Sequence, residues 1–151
     1  MNFKVLWTNY KIYGIIIGIV LGTLVYNMLS IDFSFSCNQN IKIVDFVDSL
    51  FYILMNFIRF YAFILIISFF RIKEKVYAVL LGIESFKLAG NIVILIKLHN
   101  ILYISSAIEP VFKIAVLLFF MKKEKVIFHK FLALFILLAG AFVENILINF
   151  L

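Results

Sequence analysis

The sequence predicts an all-α, polytopic membrane helix bundle of about five transmembrane helices, with the N-terminus in the cytoplasm and the C-terminus outside. Hydrophobic residues fill 66% of the 151 positions and mean hydropathy is +1.15, against about 45 to 50% apolar in an ordinary soluble domain. Four or five apolar stretches of about 20 residues, the length that crosses a bilayer, occupy the chain. They leave no room for a separate soluble domain, so residues 1–151 are read as a single integral-membrane domain. Finally, the basic residues fall in short clusters between the spans, where the positive-inside rule can orient them.

The first span is expected near Ile12 to Ser30. Lys4 and Lys11 precede it, as in a signal peptide, but the apolar run is too long, lacks an A-x-A-like cleavage site and is followed by further spans. It reads as an uncleaved first helix. Gly14, Gly18 and Gly22 give it a double G-x-x-x-G pattern, which strips one face of side chains and lets another backbone approach. That backbone belongs either to this chain or to another protein.

The second span is expected over Phe46 to Phe70, the third over Val76 to Leu98, the fourth over Ile101 to Met121 and the fifth over Phe131 to Leu151. Few bases occur in 31–44, whereas Arg71, Lys73 and Lys75 follow the second span and Lys122, Lys123, Lys125 and Lys130 follow the fourth. That alternation puts both Lys-rich loops in the cytoplasm. The turn at His99 and Asn100 is short and makes the third and fourth helices an antiparallel hairpin.

Six ionisable side chains lie within these spans: Arg59, Glu84, Lys87, Glu109, Lys113 and Glu144. A lone charge at the bilayer centre costs at least about 2.5 to 3.5 kcal/mol, so such residues normally face a bundle interior or aqueous cavity and pair. Their charges sum to zero. Ser49, Tyr52, Asn56 and Arg59 recur at i, i+3, i+7 and i+10, which places them on one face of the second helix. Glu84, Lys87 and Asn91 form the stripe of the third, Ser105 or Ser106 with Glu109 and Lys113 that of the fourth, and Gly140, Glu144, Asn145 and Asn149 that of the fifth.

At about 1.5 Å of rise per residue, equal distance from one membrane surface means equal height. On that basis Glu84 is expected to pair with Lys113, and Arg59 with Glu109; Glu144 sits nearer the outer surface, within reach of Asn91 or Lys87. Pro110 removes a backbone N–H and frees the carbonyl of Ser106, which is tolerated where it is buried in protein or lines a wet cavity. A kink is expected there. The polar network reads as a device holding the bundle in register, as a route or pocket for an ion, proton or peptide, or as a contact for a partner's helix.

Several classes are not expected. The net charge of +6 sits in topology clusters and does not call for nucleic acid. Cys37 is the one cysteine, so no internal disulfide forms, and no second thiol or nearby histidine offers a metal site. Neither metal nor cofactor is implied. Catalysis is not expected either: Cys37 and His99 are assigned to the outer side and His129 to the cytoplasmic side, and there is no G-x-S-x-G or H-E-x-x-H motif. Asp45 and Asp48 share a face at the outer end of the second helix and read as a solvated helix start.

The stretch from Gly18 to Ser30, GIVLGTLVYNMLS, resembles the opening span of the stage II sporulation protein M family, a glycine-rich helix running into an asparagine. Leu102 to Met121, LYISSAIEPVFKIAVLLFFM, is similar to that family's penultimate conserved segment with its proline in mid-helix, and LLAGAFVENILINFL from Leu137 resembles its last helix, with Glu144 as the glutamate. Pro110-Val111 stands where the family often has Pro-Gln, and Glu84, Ser85 and Lys87 largely replace middle-helix glycines. Sporulation members have a longer segment after the first helix, and the shortness of this chain favours the compact relatives found with circular bacteriocins. The resemblance implies a non-enzymatic subunit in a bacterial cytoplasmic membrane, working with other integral-membrane subunits, a cytoplasmic ABC-type ATPase and a peptide substrate in bacteriocin maturation, export or immunity. Two alternatives stand beside it, a sporulation-type peptidoglycan-remodelling scaffold and an oligomeric ion- or proton-coupled transporter or channel.

Overall fold

The computed structural model describes residues 3–28, 46–98, 103–121 and 127–150. Cys37, Asp45, His99, Asn100, Lys122, Lys123 and Lys125 lie outside the described residues, as do the side chains of Lys4 and His129. Among the described residues five α-helices follow one another: α1 (Phe3–Met28), α2 (Phe46–Ser68), α3 (Lys73–Leu98), α4 (Tyr103–Phe120) and α5 (Ile127–Phe150). In hydrocarbon every backbone N–H and C=O must be satisfied within its own segment, and helices do this without a partner strand.

The helices start earlier than the apolar runs suggest, α1 at Phe3, α3 at Lys73 and α5 at Ile127. The apolar pattern marks the part that needs lipid, whereas the backbone winds on past it. Four helices are long and apolar enough to cross a membrane, within Lys11–Met28, Phe46–Ser68, Lys73–Lys97 and Lys130–Phe150. The remaining helix, α4, expected as the fourth span, is the shortest at 18 residues, or roughly 27 Å, and carries Glu109, Pro110 and Lys113. It packs between α3 and α5.

Side-chain contacts fix the directions. Gly14, Gly18 and Gly22 meet α3 at Ala78, Ser85 and Ala89 in ascending order, so α1 and α3 run parallel. The Tyr77 hydroxyl donates to the Ile64 carbonyl (3.2 Å) and Asn91 to the Ser106 carbonyl (2.6 Å), so α2 and α4 both run against α3. Ser49 bonded to Asn145 and Tyr61 to the Lys130 carbonyl set α5 against α2. Consecutive helices therefore alternate in direction.

The glycine stripe of α1 finds its partner within this chain. A Cβ on Gly14 would lie 2.7 Å from the Ala78 carbonyl oxygen, one on Gly22 2.6 Å from that of Phe86, and one on Gly18 2.9 Å from the Ser85 Cβ. Only bare backbone permits that approach, and where lipid removes any hydrophobic drive, van der Waals packing of this kind holds helices together. Two lysine bonds tie α1 to its neighbours. Lys97 donates to the Tyr26 and Asn27 carbonyls (3.0 and 3.3 Å), groups left without partners at a helix C-terminus, and Lys11 donates to the Met121 carbonyl (3.2 Å).

The apolar core lies among the other four helices: Ile53, Phe57, Ile64 and Ile67 from α2, Tyr77 and Leu81 from α3, Val116 and Leu117 from α4, and Ala133, Leu137 and Ala141 from α5. The opposite faces carry exposed residues such as Ile17, Phe51, Phe63, Val79 and Phe135.

Candidate intramembrane polar site

The register set by Asn91 and Ser106 brings Glu84 of α3 level with Lys113 of α4, as their depths suggest. They do not form the expected ion pair. Glu84 pairs with Lys87 on its own helix, Nζ to Oε1 at 3.1 Å, and Lys113 pairs with Glu109, also on its own helix. The physical reason is distance. Residues three and four apart on a helix always present neighbouring side chains, whereas a level residue on the next helix meets only if both stripes point at one another.

The pairs differ in setting. Glu84 is buried at 4% side-chain exposure while Lys87 is 49% exposed, so this pair has its acid inside the bundle and its base at the bundle's surface. Lys113 is the inverse case, 5% exposed against 27% for Glu109. Its ammonium lies 4.9 Å from the centre of the Phe60 ring and 5.8 Å from that of Phe57, both on α2, within the range of attraction between a cation and an aromatic face. Asn56 of α2 donates to Glu109 Oε1 at 2.9 Å. Little more than one helical turn of α2, Asn56 to Phe60, thus supplies an amide for the acid and two rings for the base.

Arg59, expected to be the partner of Glu109, faces outward and is exposed. At 100° per residue it lies roughly 150° round α2 from the buried Phe57 and Ile64 face. Ser49 and Asn56 fall on the inner edge of the predicted stripe, whereas Tyr52 and Arg59 fall on its outer edge, with Tyr52 77% exposed.

The carbonyl freed by Pro110 is satisfied. Asn91 Nδ2 of α3 donates to the Ser106 oxygen, and α4 continues as one helix through Pro110. Asn91 is thereby taken up, and Lys87 by Glu84, so neither forms the contact with Glu144 that depth suggests. Glu144 is buried on α5, within electrostatic range of Glu109 and Lys113, and its Oε2 has no hydrogen-bond partner among the described residues. The same holds for Glu84 Oε2 and Ser85 Oγ.

A second cluster ties the far ends of α2 and α5. Ser49 Oγ donates to Asn145 Oδ1 (2.5 Å), Asn149 Nδ2 donates to the Asn145 carbonyl and Oδ1 (2.8 and 3.1 Å) and to Ser49 Oγ (3.2 Å), and Asn145 Nδ2 reaches the Phe46 carbonyl at 3.4 Å. The stripes contained these residues. What they lacked was the pairing, together with Phe57 and Phe60, whose only sequence signal is their place beside and one turn after Asn56.

Among the described residues no group of three or more His, Cys, Asp or Glu side chains could hold a metal ion. The site offers neutral amides, two ion pairs within single helices and three buried oxygen atoms. Set against known proteins, the chain matches no family model, no curated protein and no solved structure.

Proposed function

We propose that the chain is a non-enzymatic integral-membrane subunit of a multi-protein envelope complex in a bacterial cytoplasmic membrane, assisting maturation, export or immunity of a bacteriocin peptide together with an ABC-type ATPase. All five helices cross the bilayer in this reading, with α1 entering from the cytoplasm and α5 ending outside.

The observation that carries it is the basic end of the bundle. Arg71 between α2 and α3, Lys73 and Lys75 in the first turn of α3 and Lys130 on α5 are all exposed. Lys130 lies 5.7 Å from the centre of the Phe69 ring, so the two basic segments share one end. None of the four is in an ion pair among the described residues. By the positive-inside rule this end faces the cytoplasm, where unneutralised cations suit the acidic face of a soluble subunit such as an ATPase. The sequence likeness to stage II sporulation protein M relatives supports the peptide-handling context.

Affinity purification in mild detergent followed by mass spectrometry tests the reading. The parent is expected to bring down an ATPase and other membrane subunits, and the triple change Arg71→Gln, Lys73→Gln, Lys75→Gln to lower ATPase recovery at least ten-fold. A stable homo-oligomer without partners overturns it. That outcome would favour a transporter, the reading to which the unsatisfied Glu84 and Glu144 oxygen atoms lend support.

A further inference from the structure

We infer that the outward face of α2 centred on Arg59 receives a membrane helix of a different chain, one carrying a carboxylate near mid-bilayer. The inference rests on the complex-subunit reading and gives the chemistry of one partner.

Arg59 lies two residues past Phe57, the midpoint of the 23-residue α2. Roughly 14 Å of helix separates it from Ser68, a climb longer than its side chain. Its guanidinium stays charged in every protein setting, and a charge facing hydrocarbon is costly enough that such residues normally pair or face water. No ion pair or hydrogen bond serves it among the described residues. Tyr52, Phe63 and Ile66 share its stripe and are 77, 49 and 59% exposed, which gives an apolar contact surface around one central cation.

Among the described residues, a second copy of this chain offers no free acid at this depth. Of the acids at comparable depth, Glu84 and Glu144 are buried, and Glu109 is held by Lys113 and Asn56. Asp48 is exposed but stands at the far end of α2, in its first turn. The carboxylate must come from a helix of other sequence.

The full chain, reconstituted in phosphatidylcholine vesicles with a donor fluorophore on Cys37, is titrated with acceptor-labelled leucine-rich transmembrane peptides bearing one central Glu or one central Gln. Energy transfer is expected at an at least ten-fold lower peptide-to-lipid ratio for the Glu peptide. Arg59→Gln should abolish that preference, and Arg59→Glu should transfer it to a peptide with a central Lys. Equal transfer from both peptides, as when lipid phosphate satisfies Arg59, overturns the inference. So does a preference that survives Arg59→Gln. If Arg59→Gln fails to fold, Arg59→Lys replaces it, and loss of the Glu preference despite the retained charge counts against the inference.

Affinity purification separates the two failures. An Arg59→Gln chain that recovers the same subunits at the parent's yield sinks the inference and leaves the complex reading standing. A parent chain that purifies alone removes the complex reading, while the peptide titration still decides whether α2 carries an acid-binding face.

Discussion

The partner of Lys113 distinguishes the structure from the depth argument, and a double-mutant cycle measures it. Lys113→Met keeps the apolar stem and removes the ammonium, losing a charge-assisted bond worth about 1.5 to 3 kcal/mol and ring contacts worth about 0.5 to 2 kcal/mol. Against this, Glu109 is 27% exposed and keeps its bond from Asn56, so water and the amide recover part of the loss. A net destabilisation of about 3 kcal/mol is expected. Glu109→Gln should cost about 2 kcal/mol, because the amide oxygen still accepts from Asn56 while the buried ammonium loses its counter-charge. The double variant should cost about 3 kcal/mol and not the sum of about 5, a coupling of about 2 kcal/mol or roughly 30-fold in the unfolding constant. The companion cycle of Glu84→Gln with Lys113→Met should be additive within about 0.5 kcal/mol. Unfolding in mixed micelles by added sodium dodecyl sulfate, followed by circular dichroism, supplies all the free energies. Strong coupling between Glu84 and Lys113 with none between Glu109 and Lys113 would refute the assignment.

Two further changes probe the packing. Asn91→Ala removes a donor from the Ser106 carbonyl and should cost about 1 to 2 kcal/mol; adding Pro110→Ala restores a backbone N–H to that carbonyl, so the double variant should recover most of the loss in the same unfolding assay, and simple additivity would count against the capping role. Gly18→Ile drives a branched side chain into Gly82 and Ser85 on α3 and should cost at least about 1 to 3 kcal/mol by overpacking, seen as loss of disulfide cross-linking between cysteines placed on α1 and α3; undiminished cross-linking would mean that α1 docks elsewhere.

The helices were legible because apolar runs of spanning length admit little else in lipid, and the parts of α1 and α3 that begin before those runs were not, since a helix continues where the need for lipid stops. In α2 the spacing of Ser49, Tyr52, Asn56 and Arg59 confined them to one arc of the helix. It could not say how that arc was turned relative to the neighbours. The buried centre lies at Phe57 and Ile64, so the arc straddles the boundary, with Asn56 inside and Arg59 outside. The freed Ser106 carbonyl followed from Pro110 alone, but choosing Asn91 as its donor needed the register of α3 against α4. Equal height of Glu84 and Lys113 was correct and insufficient, because each had an oppositely charged residue one turn away.

That local competition explains why Arg59 is the exception among the mid-span bases. Lys87 has Glu84 three residues before it and Lys113 has Glu109 four before it, so each helix can carry its pair into the bilayer nearly neutral before the bundle assembles. Tertiary polar contacts are then left to groups whose bonds set register at little electrostatic cost: Asn56 to Glu109, Asn91 to Ser106 and Ser49 to Asn145. At the corresponding spacings Arg59 has Met55, Asn56, Ala62 and Phe63, none of them acidic. Its charge enters uncompensated by its own helix, and assembly of the bundle turns it away from the acids the interior holds. Compensation therefore has to arrive from outside the chain, at the depth where α2 presents it.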